Sequence, residues 1–236
     1  MVAIRIGKLY GIGVGPGDPE LLTLKAFRLL QSAPVVAYQS ANDRDSIARS
    51  IVAPYLTGNQ IEVCFHFPRA LDPEAANQLY SDAIRPIVAH LAAGRDVVVL
   101  CCGDPLFYGS FMYLFTRLAD RFETEIVPGV CSPMAAAAAI GTPLCYQNDI
   151  FSILSATLPT ERLKAQLINA DAVGIIKLRR HFEKVRQILG DLDLLSRAKY
   201  IERATAIDQK IIPIESVNPH DVPYFSMILV PSQTQF

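Results

Sequence analysis

Three glycine-rich segments have the spacing that could do chemistry. The first is Gly11-Ile-Gly13-Val-Gly15-Pro16-Gly17, followed by Asp18-Pro-Glu-Leu-Leu-Thr-Leu24. It follows a strand-like apolar run and opens a helical pattern. Backbone N–H groups and a helix N-terminus can therefore face an anion there. The spacing is not Gly-x-Gly-x-x-Gly, and Pro16 removes one donor from the cradle. The next strand ends in Tyr38-Gln39-Ser40 rather than in the acid that holds a ribose. Both features count against a nicotinamide-dependent oxidoreductase. A glycine turn with only a structural role is the plainer alternative.

The second segment, Gly103-Asp-Pro-Leu-Phe-Tyr-Gly109, stands at the end of the strongest apolar run. Ligands of open α/β sheets bind outside the carboxyl ends of strands. There Gly103 allows close backbone approach, Asp104 supplies an acceptor and Pro105 stiffens the turn. The third, Val127-Pro-Gly-Val-Cys-Ser-Pro133, also leads from a strand into a helix. Ser132 as N-cap with Pro133 at the first helical position explains part of it without any ligand.

The elements that must position these segments alternate. The patterns predict strands over 8–15, 34–38, 60–67, 96–102 and 125–127. Helices are predicted over 19–33, 45–56, 73–93, 106–121 and 132–139. Pro86 is expected to kink or divide the long helix and Gly94 to cap it. Residues 96–102 are almost continuously apolar, as for a parallel strand covered on both faces. Further on, strand 150–155, helix 160–170, strand 172–178 and helix 181–192 continue the alternation. Strands 200–203, 210–214 and 225–230 follow with links too short for crossover helices, so that end is expected to be antiparallel. The expected architecture is two α/β domains, 1–146 with a mostly parallel sheet and 147–236 with a mixed one, divided near the turn at 146–149.

Composition narrows the field. The chain has 236 residues, 51% of them apolar, and a formal net charge of −1. No field of that kind draws nucleic acid or an anionic membrane, and no basic stripe is interleaved with aromatics. There is no run of 18 apolar residues and no signal-peptide pattern, so a soluble, cytoplasmic protein without membrane or nucleic-acid partners is expected. The five cysteines, Cys64, Cys101, Cys102, Cys131 and Cys145, lack ligand spacing and are expected to be reduced core thiols, with no metal bound. His66 and His90 read as structural. No Ser/His/Asp or metal-ligand constellation supports hydrolysis.

Together, in this order and spacing, the three segments resemble the tetrapyrrole methylase family, over essentially the whole chain. Residues 9–25, 109–113, 177–185 and 200–205 carry the finer part of that resemblance. Two positions depart from it: Arg179 stands where glycine is expected, and Cys131 where serine is commoner.

The resemblance implies a homodimer of two α/β domains with S-adenosylmethionine folded into the cleft between them. It implies donor contacts from Gly103, Asp104, Leu106, Tyr108, Cys131 and Ser132, joined by Lys177, Ala204 and Met227. It implies that Gly15, Pro16 and Gly17 border the tetrapyrrole. The implied reaction is methyl transfer to carbon 20 of precorrin-2, or of cobalt-factor II, on the way to cobalamin, without a protein metal. Such a substrate carries eight carboxylates, which a near-neutral protein must meet locally. Lys177, Arg179, Arg180 and His181 form the densest basic cluster, and Arg203 adds to it. A solvated helix end is the alternative, but cations at a helix N-terminus oppose the macrodipole. Asp104, Tyr108, His181 and Glu202 are candidate acceptors for the departing proton, and the sequence does not choose among them. A module that binds S-adenosylmethionine without turnover is the non-enzymatic alternative.

Overall fold

The structure, a computed structural model, describes residues 5–40, 46–66 and 73–234, with the backbone alone over 73–79. Residue 45 of the expected helix and residue 67 of the expected strand lie outside the described residues. The chain packs as two compact units, Met1–Cys131 and Ser132–Phe236.

In the first unit the elements are β1 (Leu9–Gly13), α1 (Leu24–Ser32), β2 (Val35–Gln39), α2 (Ile47–Val52), β3 (Ile61–Phe65), α3 (Pro73–Ala92), β4 (Val97–Cys101), α4 (Phe111–Leu118) and β5 (Thr124–Val127). The strands lie in the order β3-β2-β4-β1-β5, and every pairing is parallel. β4 is buried along its whole length. Its side chains alternate between two cores, as the period of two requires. Val97, Val99 and Cys101 meet Ile84, Ile87 and Leu91 of α3 and Phe111 and Leu114 of α4. Val98 and Leu100 meet Ala26 and Leu30 of α1 and Ile51 and Val52 of α2. A sheet buried on both faces explains why this strand reads as a continuous apolar run.

Two helices begin otherwise than expected. The helix expected over 19–33 begins as a 3₁₀ turn, Pro19–Leu21, capped by Asp18. It restarts at α1, where the Thr23 hydroxyl accepts from Ala26 N. The helix expected over 106–121 begins only at Phe111, after left-handed backbone at Tyr108 (φ 53°). α3 is not divided: it runs from Pro73 to Ala92 with Pro86 inside it. It closes at Gly94 (φ 77°), with Gly94 N donating to Leu91 O and Arg95 N to His90 O.

The second unit contains α5 (Ser132–Ile140), β6 (Phe151–Ser155), α6 (Thr160–Ile168), β7 (Ala172–Ile176), α7 (Phe182–Asp191), β8 (Lys199–Glu202), β9 (Lys210–Ile212) and β10 (Ser226–Val230). The sheet order is β6-β7-β10-β8-β9. β6 and β7 are parallel, while β10 runs antiparallel to both of its neighbours and β9 to β8. One face carries α6 and α7, with Leu163, Leu167, Phe182, Val185 and Ile188 against Val173, Ile175, Tyr200 and Ile228. On the other face Ala136 of α5 packs with Ile176, Ile201, Met227 and Leu229. The packing thus divides before α5, a helix that the sequence pattern groups with the first domain.

Polar groups that mark no chemistry secure the N-terminal ends of β1 and β5. Lys8 Nζ lies 2.8 Å from Glu123 and 2.9 Å from Glu125, and Lys25 also reaches Glu125. Lys25 and then Lys8 hold the Glu125 carboxyl down at about 2, against an ordinary 4.5. A carboxylate depressed in the folded state stabilises above its unfolded value, and that contribution disappears as pH falls from about 4.5 to about 2. Glu125→Gln is therefore expected to cost about 1 kcal/mol at pH 7 in urea unfolding. The variant and the parent should converge as pH approaches 2. A difference that persisted undiminished there would show that the ion pairs are not its source.

Candidate functional site

Parallel pairing sets the carboxyl ends of β4, β1 and β5 side by side, so the three glycine-rich segments meet in the first unit. The meeting is backbone to backbone. Gly103 N donates to Gly15 O at 2.7 Å and Gly15 N to Gly103 O at 3.4 Å. A Cβ on Gly13 would stand 2.5 Å from both Gly103 O and Gly129 Cα, and one on Gly129 only 2.1 Å from Gly103 O. Neither position has room for a side chain. Each segment contributes a glycine because the chains approach too closely for anything larger.

Asp104 locks this arrangement. Its Oδ1 accepts from Leu106 N at 2.8 Å and its Oδ2 from Gly129 N at 3.1 Å. One oxygen shapes the turn that follows β4, and the other ties that turn to the one after β5. Left-handed backbone at Tyr108 (φ 53°) interrupts the helical run, so residues 104–110 stay outside the helix. Leu106 and Tyr108 project from the turn, each 47% exposed, while Pro105 is buried. A Cβ on Gly103 (φ 65°) would meet only Val130 O, at 3.8 Å, so that side of the chain is open to a ligand. Open backbone beside two exposed apolar side chains fits a nucleoside with a flat base and hydrogen-bonding ribose.

The surroundings of the cysteines near these strand ends disfavour the thiolate. Burial pushes Cys101 well up and Cys102 up to about 12, and burial followed by the Asp104 charge raises Cys131. All five cysteines are free, but Cys64 and Cys145 are exposed rather than in the core. His66 Nδ1 lies 3.0 Å from Ser40 O, and His90 Nδ1 accepts from Arg95 Nε at 2.9 Å. Among the described residues no group of three or more His, Cys, Asp and Glu could hold a metal, and no helix is long and apolar enough to cross a membrane.

In the second unit, pairing of Glu202 with Ser226 and of Ile175 with Ile228 brings the ends of β7 and β8 to the start of β10. The residues that leave these strands turn sharply: Lys177 (φ 61°), Arg179 (32°), Arg203 (45°) and Thr205 (67°) all hold left-handed backbone. Glu202, only 7% exposed, accepts from Tyr200 Oη at 2.9 Å and from Arg203 Nη2 at 3.4 Å. Burial, and then this carboxylate, raises the Tyr200 phenol. Arg203 Nε also lies 2.7 Å from Asp208 Oδ2, and its N–H donates to Phe225 O at 2.7 Å. Thr205 N donates to Gln209 Oε1 at 2.6 Å. Ala204 and Met227 are buried in the cluster with Ala136. Ser132 opens α5.

Arg179 and Arg180 are exposed, and His181 is half-buried beneath them, with Arg180 Nε 3.4 Å from His181 Nε2. Burial, then Lys184 and Arg180, lower the His181 pKa. An imidazole so placed carries its charge less readily than a free one. Asp208, Gln209 and Tyr224 belong to this region outside the segments that carry the resemblance, while Tyr200 lies within one of them, residues 200–205. Only Tyr200 had a usable signal, since the period of two places it on the same face of its strand as Glu202.

Residues 8–217 match the model of the family described as Tetrapyrrole (Corrin/Porphyrin) Methylases. The chain is 45% identical over 235 residues to the cobalamin biosynthesis protein CobIJ of Mycobacterium tuberculosis (strain ATCC 25618 / H37Rv), covering 95% of this chain and 46% of that protein. It thus spans about half the length of that relative. It is 36% identical over 239 residues to a precorrin-2 C(20)-methyltransferase of Sinorhizobium sp, with 98% of each chain covered. Among solved structures it is similar to uroporphyrin-III C-methyl transferase from Thermus thermophilus complexed with S-adenyl homocysteine. That likeness has a TM-score of 0.66 and 26% identity, covering 95% of this chain and 92% of the other. With its three glycine segments converging on Asp104 and a match spanning both units, the chain belongs to the tetrapyrrole (corrin/porphyrin) methylase family.

Proposed function

We propose that this protein transfers a methyl group from S-adenosylmethionine to carbon 20 of precorrin-2, on the route to cobalamin. The observation that carries this reading is the end-to-end similarity to the Sinorhizobium enzyme. The first unit's strand ends support it, because they offer the open backbone and apolar side chains that a nucleoside needs. The second unit supports it with an exposed cationic loop, Lys177–His181, suited to a substrate rich in carboxylates.

S-adenosylmethionine supplies an electrophilic methyl on a sulfonium: the S–CH₃ bond breaks, a bond to the ring carbon forms, and S-adenosylhomocysteine leaves. The protein's part is alignment more than acid–base work, and holding the reacting atoms in line is worth roughly 7–11 kcal/mol. The Asp104 clamp fixes the turn at Gly103 in one geometry, which is what such alignment requires. Arg179 and Arg180 orient the substrate through its carboxylates. The methylated carbon then loses one proton. Asp104 is poorly suited to take it, because both of its oxygens already accept backbone N–H groups. Glu202 is held by Tyr200 and Arg203. His181, partly exposed and with a lowered pKa, and the exposed Tyr108 are the candidates left to carry the proton.

Anaerobic incubation with labelled S-adenosylmethionine and either precorrin-2 or cobalt-factor II, read by mass and NMR, tests the reading. One added methyl at carbon 20 of precorrin-2 is expected. Methylation of cobalt-factor II alone would move the substrate to the metal-containing route. No methyl on either would defeat the proposal.

A further inference from the structure

Left-handed backbone costs a residue that has a Cβ, and where it persists the surroundings hold it there. At Arg203 and Thr205 the holding contacts are internal to the fold: Phe225 O and Asp208 for the first, Gln209 for the second. Arg179 is different. Its φ is 32°, its side chain is exposed, and no ion pair or hydrogen bond of that side chain occurs among the described residues. Its guanidinium carbon instead lies 5.8 Å from the centroid of the Tyr224 ring. Tyr224 is itself 60% exposed and meets Phe225 edge to face, with the ring centroids 4.9 Å apart. Phe225 is anchored in turn, because its carbonyl accepts from Arg203 N. A strained residue therefore holds a cation at the surface beside an aromatic ring tied to the next strand end, and among the described residues no acid pairs with that cation.

The surroundings suit an anion. Arg180 and Lys184 stand nearby, and Glu183, the one acid within the turn, is paired with Arg186 at 2.6 Å. A guanidinium lying over a ring at this distance keeps its N–H edge available, and that edge matches a carboxylate with two parallel hydrogen bonds.

We propose that Arg179 is a specificity-determining residue, held by its left-handed backbone and by Tyr224 to take one peripheral carboxylate of the tetrapyrrole. Tyr224 is its positioning residue. The inference rests on the reading of this protein as an enzyme of polycarboxylated tetrapyrroles.

The test separates the side chain from the strain. Arg179→Gly removes both, so the variant should melt at the parent's temperature or above it. It should nonetheless bind uroporphyrin III, an octacarboxylate probe that needs no turnover, about tenfold more weakly in a fluorescence titration. Arg179→Lys keeps the charge but not the fork and should fall between the two. Tyr224→Leu should weaken binding about threefold, and Tyr224→Phe should restore it. Affinity for S-adenosylhomocysteine should stay within twofold throughout. The proposal is overturned if Arg179→Gly binds the porphyrin within twofold of the parent, or if the parent does not bind it. Loss of precorrin-2 turnover with this contrast intact would strike the functional reading instead.

Discussion

Replacing Gly129 with alanine is expected to destabilise the protein by about 3 kcal/mol or more, among the largest effects of any single methyl group added to the chain. The reason is spatial. The new Cβ would stand 2.1 Å from Gly103 O and 2.7 Å from Gly13 Cα, and both are backbone atoms of neighbouring strand ends. A flexible side chain could swing away, but these cannot move without breaking the Gly103–Gly15 bridge and the Asp104 clamp. Gly58 supplies the control. It has φ 80° and nothing within 4 Å of its would-be Cβ. Gly58→Ala meets only the conformational cost, roughly 1–2 kcal/mol. Urea unfolding of the two variants should rank them in that order. A Gly129→Ala protein within 1 kcal/mol of the parent would mean that the three strand ends are not packed backbone to backbone.

Much of this arrangement is legible in the sequence because it follows from local periodicity. Val97–Cys101 reads as a doubly covered strand, and it is one. Gly94 reads as a helix end, and its left-handed backbone provides it. The short links after Glu202 exclude crossover helices, and β8, β9 and β10 pair antiparallel. What escapes the pattern depends on contacts between residues far apart in the chain. The turn at 104–110 has helical composition, but Tyr108 holds left-handed backbone and Asp104 ties the turn to the distant Gly129 N–H. α5 is so rich in alanine that it has no distinct apolar face, and nothing local says which sheet it covers. Arg203 looks like a substrate cation, yet Asp208 and Glu202 already engage it. Left-handed backbone at Arg179 has no signature in the residue type itself, and its one hint is that the resemblance expects glycine at that position.

Asp104 gives the second large effect and distinguishes two roles for a conspicuous carboxylate. Asparagine is nearly isosteric but offers one acceptor oxygen where aspartate offers two. In Asp104→Asn either Leu106 N–H or Gly129 N–H must face an amide NH₂, so a charge-assisted hydrogen bond becomes a donor–donor contact. A loss of about 2–3 kcal/mol at the turn follows. It should appear as a fall of roughly 10²-fold in kcat/KM and a matching weakening of S-adenosylhomocysteine binding in calorimetry. The pH profile of the residual activity should keep the parent's shape, because a carboxylate that only accepts backbone N–H groups moves no proton. A proton acceptor would behave in the opposite way. Its loss would lower kcat, alter the pH profile and leave donor affinity unchanged. Donor affinity unmoved beside a reshaped profile would therefore overturn the clamp and return Asp104 to the chemical step.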